Sequence, residues 1–328
     1  TLMTFTPNIF WSIVDTGILY QSGYEIEVGL DTDWAAAEMW STGAVMLTDT
    51  QAVYAGASLR IDVTYYLRIR AYDGIAWGKW SYGEFIIHLP KVVHVPADQP
   101  TIQAGIDAAT NLDTVLVESG SYSENIDFKG KHIVVASLNG PANTIIQGII
   151  AATATVSFIN SEPKGAQISG FTITGGKNSG ILCKNSSPSI INNIIRNNEG
   201  NREYAGGGIS LYNVQRSVIK SNILYGNAGF AINVTGSDGG SCNDTICYNI
   251  IYENTGLANI MMSGEVDRLA IYNNTMDGNY DGISNNGNGY IDVRNNIICG
   301  ASGHGIYDNA DAPGTTLAEY NCTFGNKY

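Results

Sequence analysis

Asp281 and His304 are the residues best placed to do chemistry. Each stands two positions before an isoleucine, Ile283 and Ile306, in a recurring Gly-Ile pattern. Equivalent positions in consecutive units of a repeat become neighbours, so this spacing sets a carboxylate beside an imidazole. A carboxylate orients an imidazole and stabilises its charge, which makes an acid/base pair. The same pairing also serves as a plain ladder hydrogen bond, and the sequence leaves both readings open. Tyr307 follows closely enough to position a substrate, and Asp308 lies near enough to join such a site. Asp277, Asn279 and Asp281 match the start of a calcium loop, Asp-x-Asn-x-Asp-Gly. The twelfth position is Asn288, where such a loop needs a bidentate Glu, so the expectation is a weak Ca²⁺ site that competes with the Asp281–His304 pair.

The elements that must position these residues are repeats. Six segments align on Asn193, Asn222, Asn249, Asn274, Asn296 and Asn321, with steps of 29, 27, 25, 22 and 25 residues. Three positions before each asparagine stand Ile190, Ile219, Ile246, Ile271, Val293 and Ala318. Two positions after stand Ile195, Leu224, Ile251, Met276, Ile298 and Thr323. A third column holds Ile181, Ile209, Ile232, Ile260, Ile283 and Ile306. Three short apolar runs per unit, with Asn and Gly between them, exclude a helical repeat, which needs about ten residues of 3.6-period pattern per helix. Asn and Gly suit turns because they tolerate left-handed backbone. Each unit is therefore one coil of a parallel β-helix, with isoleucines inside and the asparagines stacked as a ladder.

These units resemble the right-handed parallel β-helix repeats of the pectin-lyase-like superfamily, from about Val92 onward. The resemblance implies an all-β fold and an extracellular carbohydrate-active protein. It also implies a sugar-binding groove along the sheet of Gly-Ile strands. Alternation places Leu182, Ser210, Asn233, Met261, Ser284 and Tyr307 on the outer face of that sheet. Lys184, Tyr212, Thr235 and Ser263 lie two residues on. Tyr212, Asn233, Met261 and Ser284 are thus the candidate substrate-binding residues. The face is polar and neutral, suited to sugar hydroxyls, and lacks the carboxylates that hold calcium in pectate lyases. Gly303-His304-Gly305 resembles a polygalacturonase motif. The Asn-Thr-Asp, Asp-Asp and Arg-Ile-Lys motifs that accompany it in that family are absent. Inverting hydrolysis needs two carboxylates about 6.5–9.5 Å apart, which one histidine does not replace. Two functions stay open: a protein that binds and cleaves a polysaccharide, as a lyase or a hydrolase, and a non-catalytic structural or adhesin scaffold. The long turns 197–208 and 235–244 would discriminate them, by rising as walls around Asp281 and His304 or splaying away.

Composition narrows the partners. Formal net charge is −13, and only 14% of the 328 residues are charged. Up to Pro90 there are 4 basic and 10 acidic residues, and beyond it 13 and 20. Neither half carries a basic patch, which argues against nucleic acid. An acidic polysaccharide would be repelled unless a cation bridged it. No run of about 18 apolar residues forms a membrane span. The expected location is extracellular or at the cell surface, secreted as in bacteria. The chain has no initiating Met, reads as a mature or excised segment, and stops inside a repeat copy. Further C-terminal domains, or a partner covering the open end, are therefore expected. Of the five cysteines, Cys183, Cys299 and Cys322 fall in or beside apolar strands and read as small buried side chains, and Cys242 and Cys247 flank a loop where they could pair.

Residues 1–90 read as an antiparallel β-sandwich, with alternating runs around Ile9, Trp11, Tyr24, Ile26, Val28, Tyr65, Leu67, Ile69, Phe85 and Ile87. Thr64–Ser81 (TYYLRIRAYDGIAWGKWS) resembles the F strand and F–G turn of a fibronectin type III module, which implies a tyrosine corner at Tyr65. Trp34 and Trp77 either stack on sugar rings or cover the module. Residues 91–328 are then the β-helix. Pro100, Ile102, Ile106 and Ala109 announce a short capping helix near 100–109 over its first coil.

Overall fold

The computed structural model describes residues 6–13, 21–150, 154–200, 206–236, 243–309 and 315–328. The chain forms two units, Thr1–Leu89 and Pro90–Tyr328.

In the first unit, strands Trp40–Ser41, Gly23–Gly29, Thr64–Tyr72 and Ser81–Ile86 make an antiparallel sheet in that order. Asn8–Phe10 pairs with Gln51–Val53. Alternation turns Tyr24, Ile26, Val28 and Tyr65 inward, where they pack with Ile9, Tyr54 and Leu59. The Tyr65 hydroxyl accepts the Arg60 N–H at 2.6 Å, the expected tyrosine corner. On the outer face Arg68 pairs with Glu27 and Arg70 with Glu25. The Arg68 guanidinium lies 4.8 Å from the Trp34 ring and 4.3 Å from that of Trp80. Arg70 lies 4.8 Å from Trp77 and 4.5 Å from Trp80. Trp34 and Trp77 therefore spend ring faces on guanidinium groups, a cation–π stack that covers the sheet.

The second unit begins with the capping helix, Ile102–Ala108. Thr101 accepts the Ala104 N–H as N-cap. The Glu124 carboxylate takes the N–H groups of Ile102 and Gln103. At the other end Lys131 donates to the carbonyls of Ile106, Asp107 and Ala109. Both sets of free helix ends are thus satisfied by charges of matching sign. Ile102, Ile106 and Ala109 are buried, on the face the sequence predicts.

Three parallel sheets then run through the coils. Sheet A has ten strands, from Val92–Val95 to Thr315–Glu319. Sheet B has nine, from Gly120–Ser123 to Cys322–Phe324, and sheet C has eight, from Ile126–Asp127 to Ile306–Asp308. The three apolar columns are in register across them. Ile190, Ile219, Ile246, Ile271, Val293 and Ala318 stack in sheet A. Ile195 to Thr323 stack in sheet B, and Ile181 to Ile306 in sheet C. Down to Val293, Ile298 and Ile283 they form one continuous core, and the last coil, with Ala318 and Thr323 exposed, lies at its open edge.

The corner between sheets A and B is built by two residues. The first is left-handed in every coil: Asn192, Ser221, Tyr248, Asn273, Asn295 and Tyr320, with φ between 54° and 59°. The second is the ladder asparagine, which the left-handed residue turns inward. Asn249 is typical. Its Oδ1 accepts the N–H and Nδ2 of Asn222, while its Nδ2 donates to the Ile219 carbonyl and to Asn274 Oδ1, all within 3.1 Å. Both donors and both lone pairs are used. The ladder runs from Asn193 to Asn321, and the Phe171 N–H, from a coil with phenylalanine in the column, donates to its first rung.

A second ladder lines the next corner, again after left-handed residues. It links Asn198, Asn227 and Asn254, is interrupted, and resumes where Asn326 Oδ1 accepts the Ala301 N–H and its Nδ2 donates to the Ile298 carbonyl. The Asn279 amide turns instead to Asn259 Oδ1, and Ala301 fills the following rung.

The cysteines depart from expectation. Cys183 is buried, but Cys299 is half-buried and Cys322 exposed, because both sit on the outer face of sheet B. Cys247 is a buried thiol. Cys242 itself lies outside the described residues.

Asn249→Ala leaves the Asn222 N–H and the Ile219 carbonyl without partners in a dry corner. At ~1–3 kcal/mol for each such group, the expected loss is ~3 kcal/mol or more in a denaturant titration. Glu253→Gly should act in the opposite direction. Glu253 holds φ 54°, and releasing that left-handed strain raises stability by up to ~1 kcal/mol.

Candidate functional site

Asp281 opens the sheet C strand Asp281–Gly287, paired across from Ala258. His304 precedes the next strand of the same sheet, Ile306–Asp308. Asp281 is 6% exposed. Its Oδ1 accepts the His304 main-chain N–H at 2.8 Å and faces the ring Nδ1 at 3.2 Å. An ionised carboxylate only accepts, so with Asp281 ionised Nδ1 carries the proton and Nε2 is left with its lone pair. The imidazole side chain keeps 36% exposure. Tyr307 holds its ring 5.0 Å from the imidazole at 41°, and Tyr328 does so at 5.4 Å and 33°. Gly303 makes this approach possible. A Cβ there would stand 2.7 Å from Asp281 Oδ1 and 2.9 Å from the Tyr280 carbonyl.

The two residues therefore meet as the repeat predicts. One carboxylate oxygen fixes the backbone turn and orients the ring. The site also lies where the second asparagine ladder fails, two residues beyond Asn279.

The expected calcium ligands separate. Asp277 Oδ1 receives the Cys299 thiol at 3.4 Å on sheet B, Asn279 turns to Asn259, and Asp281 turns to His304. Among the described residues no group of three or more His, Cys, Asp or Glu side chains could hold a metal ion. This donor set does not fit a hard cation, which takes 6–8 oxygens.

Of the candidate substrate-binding residues, Asn233, Met261 and Ser284 stack in register with Ser210 and do not line an open groove, while Tyr212 is half-buried. Ser210 is 0% exposed, Asn233 2%, Met261 8% and Ser284 2%. They point away from the core, as alternation requires, and are then covered from outside. The Ser210 hydroxyl donates to the Gly206 carbonyl, and a Cβ on Gly206 would lie 3.1 Å from the Asn233 nitrogen. Phe230 and Ala258 pack on Met261. The accessible row is the one two residues further on: Lys184, Tyr212, Thr235, Ser263 and Asn286. Tyr212 is half-buried, and burial pushes its phenol above the usual value against the pull of a hydrogen bond to Asn233. Asn233 Nδ2 donates to the Thr235 hydroxyl, which lies 3.2 Å from that of Ser263. The turns 197–208 and 235–244 are described only in part, since 201–205 and 237–242 lie outside the described residues.

Sequence reasoning missed Asp244. It is 1% exposed, and burial raises its pKa from 3.8 to about 6, opposed by the Ser217 N–H bonded to Oδ1 at 2.7 Å. Its Oδ2 and the Ser217 hydroxyl are both buried without a hydrogen-bond partner among the described residues. The signal was present. Asp244 pairs with Leu269 and then Ile291, an interior column in which a carboxylate is out of place.

Residues 134–298 match the right-handed β-helix region family, and the chain belongs to it. Residues 2–86 match the Rha78A-like N-terminal immunoglobulin domain, so the first unit is an immunoglobulin-like module. No curated protein matches the chain. Among solved structures, the pectin methylesterase of Aspergillus niger is similar at 13% identity and a TM-score of 0.48, over 72% of this chain and 85% of that one. The family 28 exopolygalacturonase of Yersinia enterocolitica is similar at 11% and 0.40, over 98% and 84%. The carrot pectin methylesterase stands at 14% and 0.36, over 71% and 70%. Among the described residues no helix is long and apolar enough to cross a membrane.

The Asp244 carboxyl gives a pH test. Its folded pKa lies above the unfolded value, so its contribution is fully present below about pH 4 and is lost as pH rises through about 6. At pH 7–8 the ionised group costs ~2–3 kcal/mol. Asp244→Asn should raise the unfolding free energy at pH 7.5 by that amount and flatten the pH dependence of stability between about 4 and 6.

Proposed function

We propose that the β-helix unit is an extracellular carbohydrate-active protein that binds a polysaccharide and cleaves it by elimination at the Asp281–His304 pair. The observation that carries this reading is the single carboxylate oxygen engaging both the His304 N–H and Nδ1, which presents a half-exposed Nε2 as a base. Elimination from a uronate needs one base and a cation from solution that neutralises the sugar carboxylate and bridges it to this acidic chain. His304 Nε2 takes the proton α to the sugar carboxylate, the C–O bond to the next sugar breaks, and the leaving oxygen is protonated by water. Inverting hydrolysis fits less well. It needs a second free carboxylate, and Asp308 is bonded to the Asn285 amide. Tyr307 acts as a positioning residue, its ring beside the imidazole.

A second reading is a non-catalytic scaffold. The burial of Ser210, Asn233, Met261 and Ser284 favours it, because it closes the middle of the face on which a long chain would lie.

The test is a panel of acidic and neutral polysaccharides, followed by ultraviolet absorbance of unsaturated ends and by affinity electrophoresis. The expected outcome is unsaturated product from a uronate polymer, reduced ~100-fold or more by His304→Ala with the unfolding midpoint unchanged. Retardation without product, or product that His304→Ala leaves intact, would sink the catalytic assignment. Silence in both assays would establish the scaffold.

A further inference from the structure

The immunoglobulin-like module holds a cavity of about 300 Å³ at the edge of its sheet. Trp11 and Tyr72 are the aromatic residues of its lining, and both rings are fixed from behind. The Trp11 indole N–H donates to Gln21 Oε1 at 2.8 Å, and its ring packs on Tyr24 at 4.8 Å. Gln21 is itself anchored to the Asp49 carbonyl. The Tyr72 ring rests on Trp77 at 5.2 Å. These walls are set before any ligand arrives, which lowers the ordering cost of binding.

The polar groups in the lining divide into spent and unspent. Arg70 is paired with Glu25 and stacked between Trp77 and Trp80. Asp73 Oδ1 accepts the N–H groups of Ile75 and Ala76, and those bonds hold its carboxyl below the usual range. Lys79 is exposed and has no acidic partner among the described residues, and the hydroxyls of Ser12 and Ser81 have no bond there either. An aromatic wall, two free serine hydroxyls and one uncommitted ammonium are the complement of a sugar ring that bears a carboxylate. The ring's C–H face covers the aromatic wall, its hydroxyls meet the serines, and its carboxylate meets Lys79. The volume is at the small end for ligand sites and suits one sugar rather than a chain segment.

We infer that this cavity is a binding site for a single hexuronate unit, separate from the β-helix and independent of any reaction there.

The chain supplies its own reporter. All five tryptophans, Trp11, Trp34, Trp40, Trp77 and Trp80, belong to this module, and the β-helix unit has none. Intrinsic fluorescence of the full chain is titrated with glucuronate, galacturonate and glucose. The expected result is a saturable change with the uronates, weaker by tenfold or more with glucose. Lys79→Gln should weaken uronate binding about tenfold and erase that preference. Lys79 is exposed, so the substitution leaves the fold intact, and an unchanged unfolding midpoint checks this. His304→Ala should leave the titration unchanged, which separates this site from the β-helix reading. Equal responses to glucuronate and glucose with Lys79→Gln silent, or no saturable change at all, would overturn the inference.

Discussion

From Asn193 onward, each coil depends on how one asparagine side chain disposes of its four hydrogen-bonding positions. A β-helix must bend its backbone sharply at each corner, and the bend points a polar group into the core. Left unpaired, such a group costs ~1–3 kcal/mol in every coil. The ladder removes that cost by giving each amide the backbone N–H, Nδ2 and a carbonyl of the preceding coil and the Oδ1 of the next. The left-handed residue before each rung makes this geometry reachable, and even Tyr248 and Tyr320 are held there. A rung therefore draws on both of its neighbours, and stability is shared between adjacent coils rather than contained within one.

The candidate site follows from an interruption of that order. Where the second ladder holds, from Asn198 to Asn254, the corner is saturated and has no chemistry to offer. Beyond it Asn279 leaves the stack, Ala301 has no amide, and a carboxylate with an imidazole takes over the turn. Asp281 still does a rung's work by accepting the His304 N–H. The ring is an addition to a structural device, and this explains why it is oriented so closely.

Much of this was legible in the sequence because stacking converts spacing into proximity. The isoleucine columns, the first ladder, the capping helix and the pairing of Asp281 with His304 all follow from counting residues between equivalent positions. What was not legible depended on long-range covering. Alternation says that Ser210, Asn233, Met261 and Ser284 leave the core. It cannot say that Phe230, Ala258 and the Gly206 segment return over them. The calcium pattern is divided for a related reason. Asp277, Asn279 and Asp281 are close in sequence, but a corner lies among them and sends each to a different partner. Asp244 was readable and was passed over, since its column is apolar in the next two coils.

The unequal spacing of the coils has its own consequence. From Ile190 to Asn198, and in each equivalent stretch, the count is constant, while the step from coil to coil ranges from 22 to 29 residues. All variation in length is thus confined to the rest of the perimeter, outside the two corners. Extra residues there loop out from a frame whose registration is already fixed, and the added closure entropy grows only slowly with length. The molecule behaves as a ruled spine with one permissive margin, where whole segments can be gained, lost or exchanged in evolution or by grafting. Two residues that face each other across neighbouring coils, as Asp281 and His304 do, keep their alignment while such changes accumulate elsewhere on the margin.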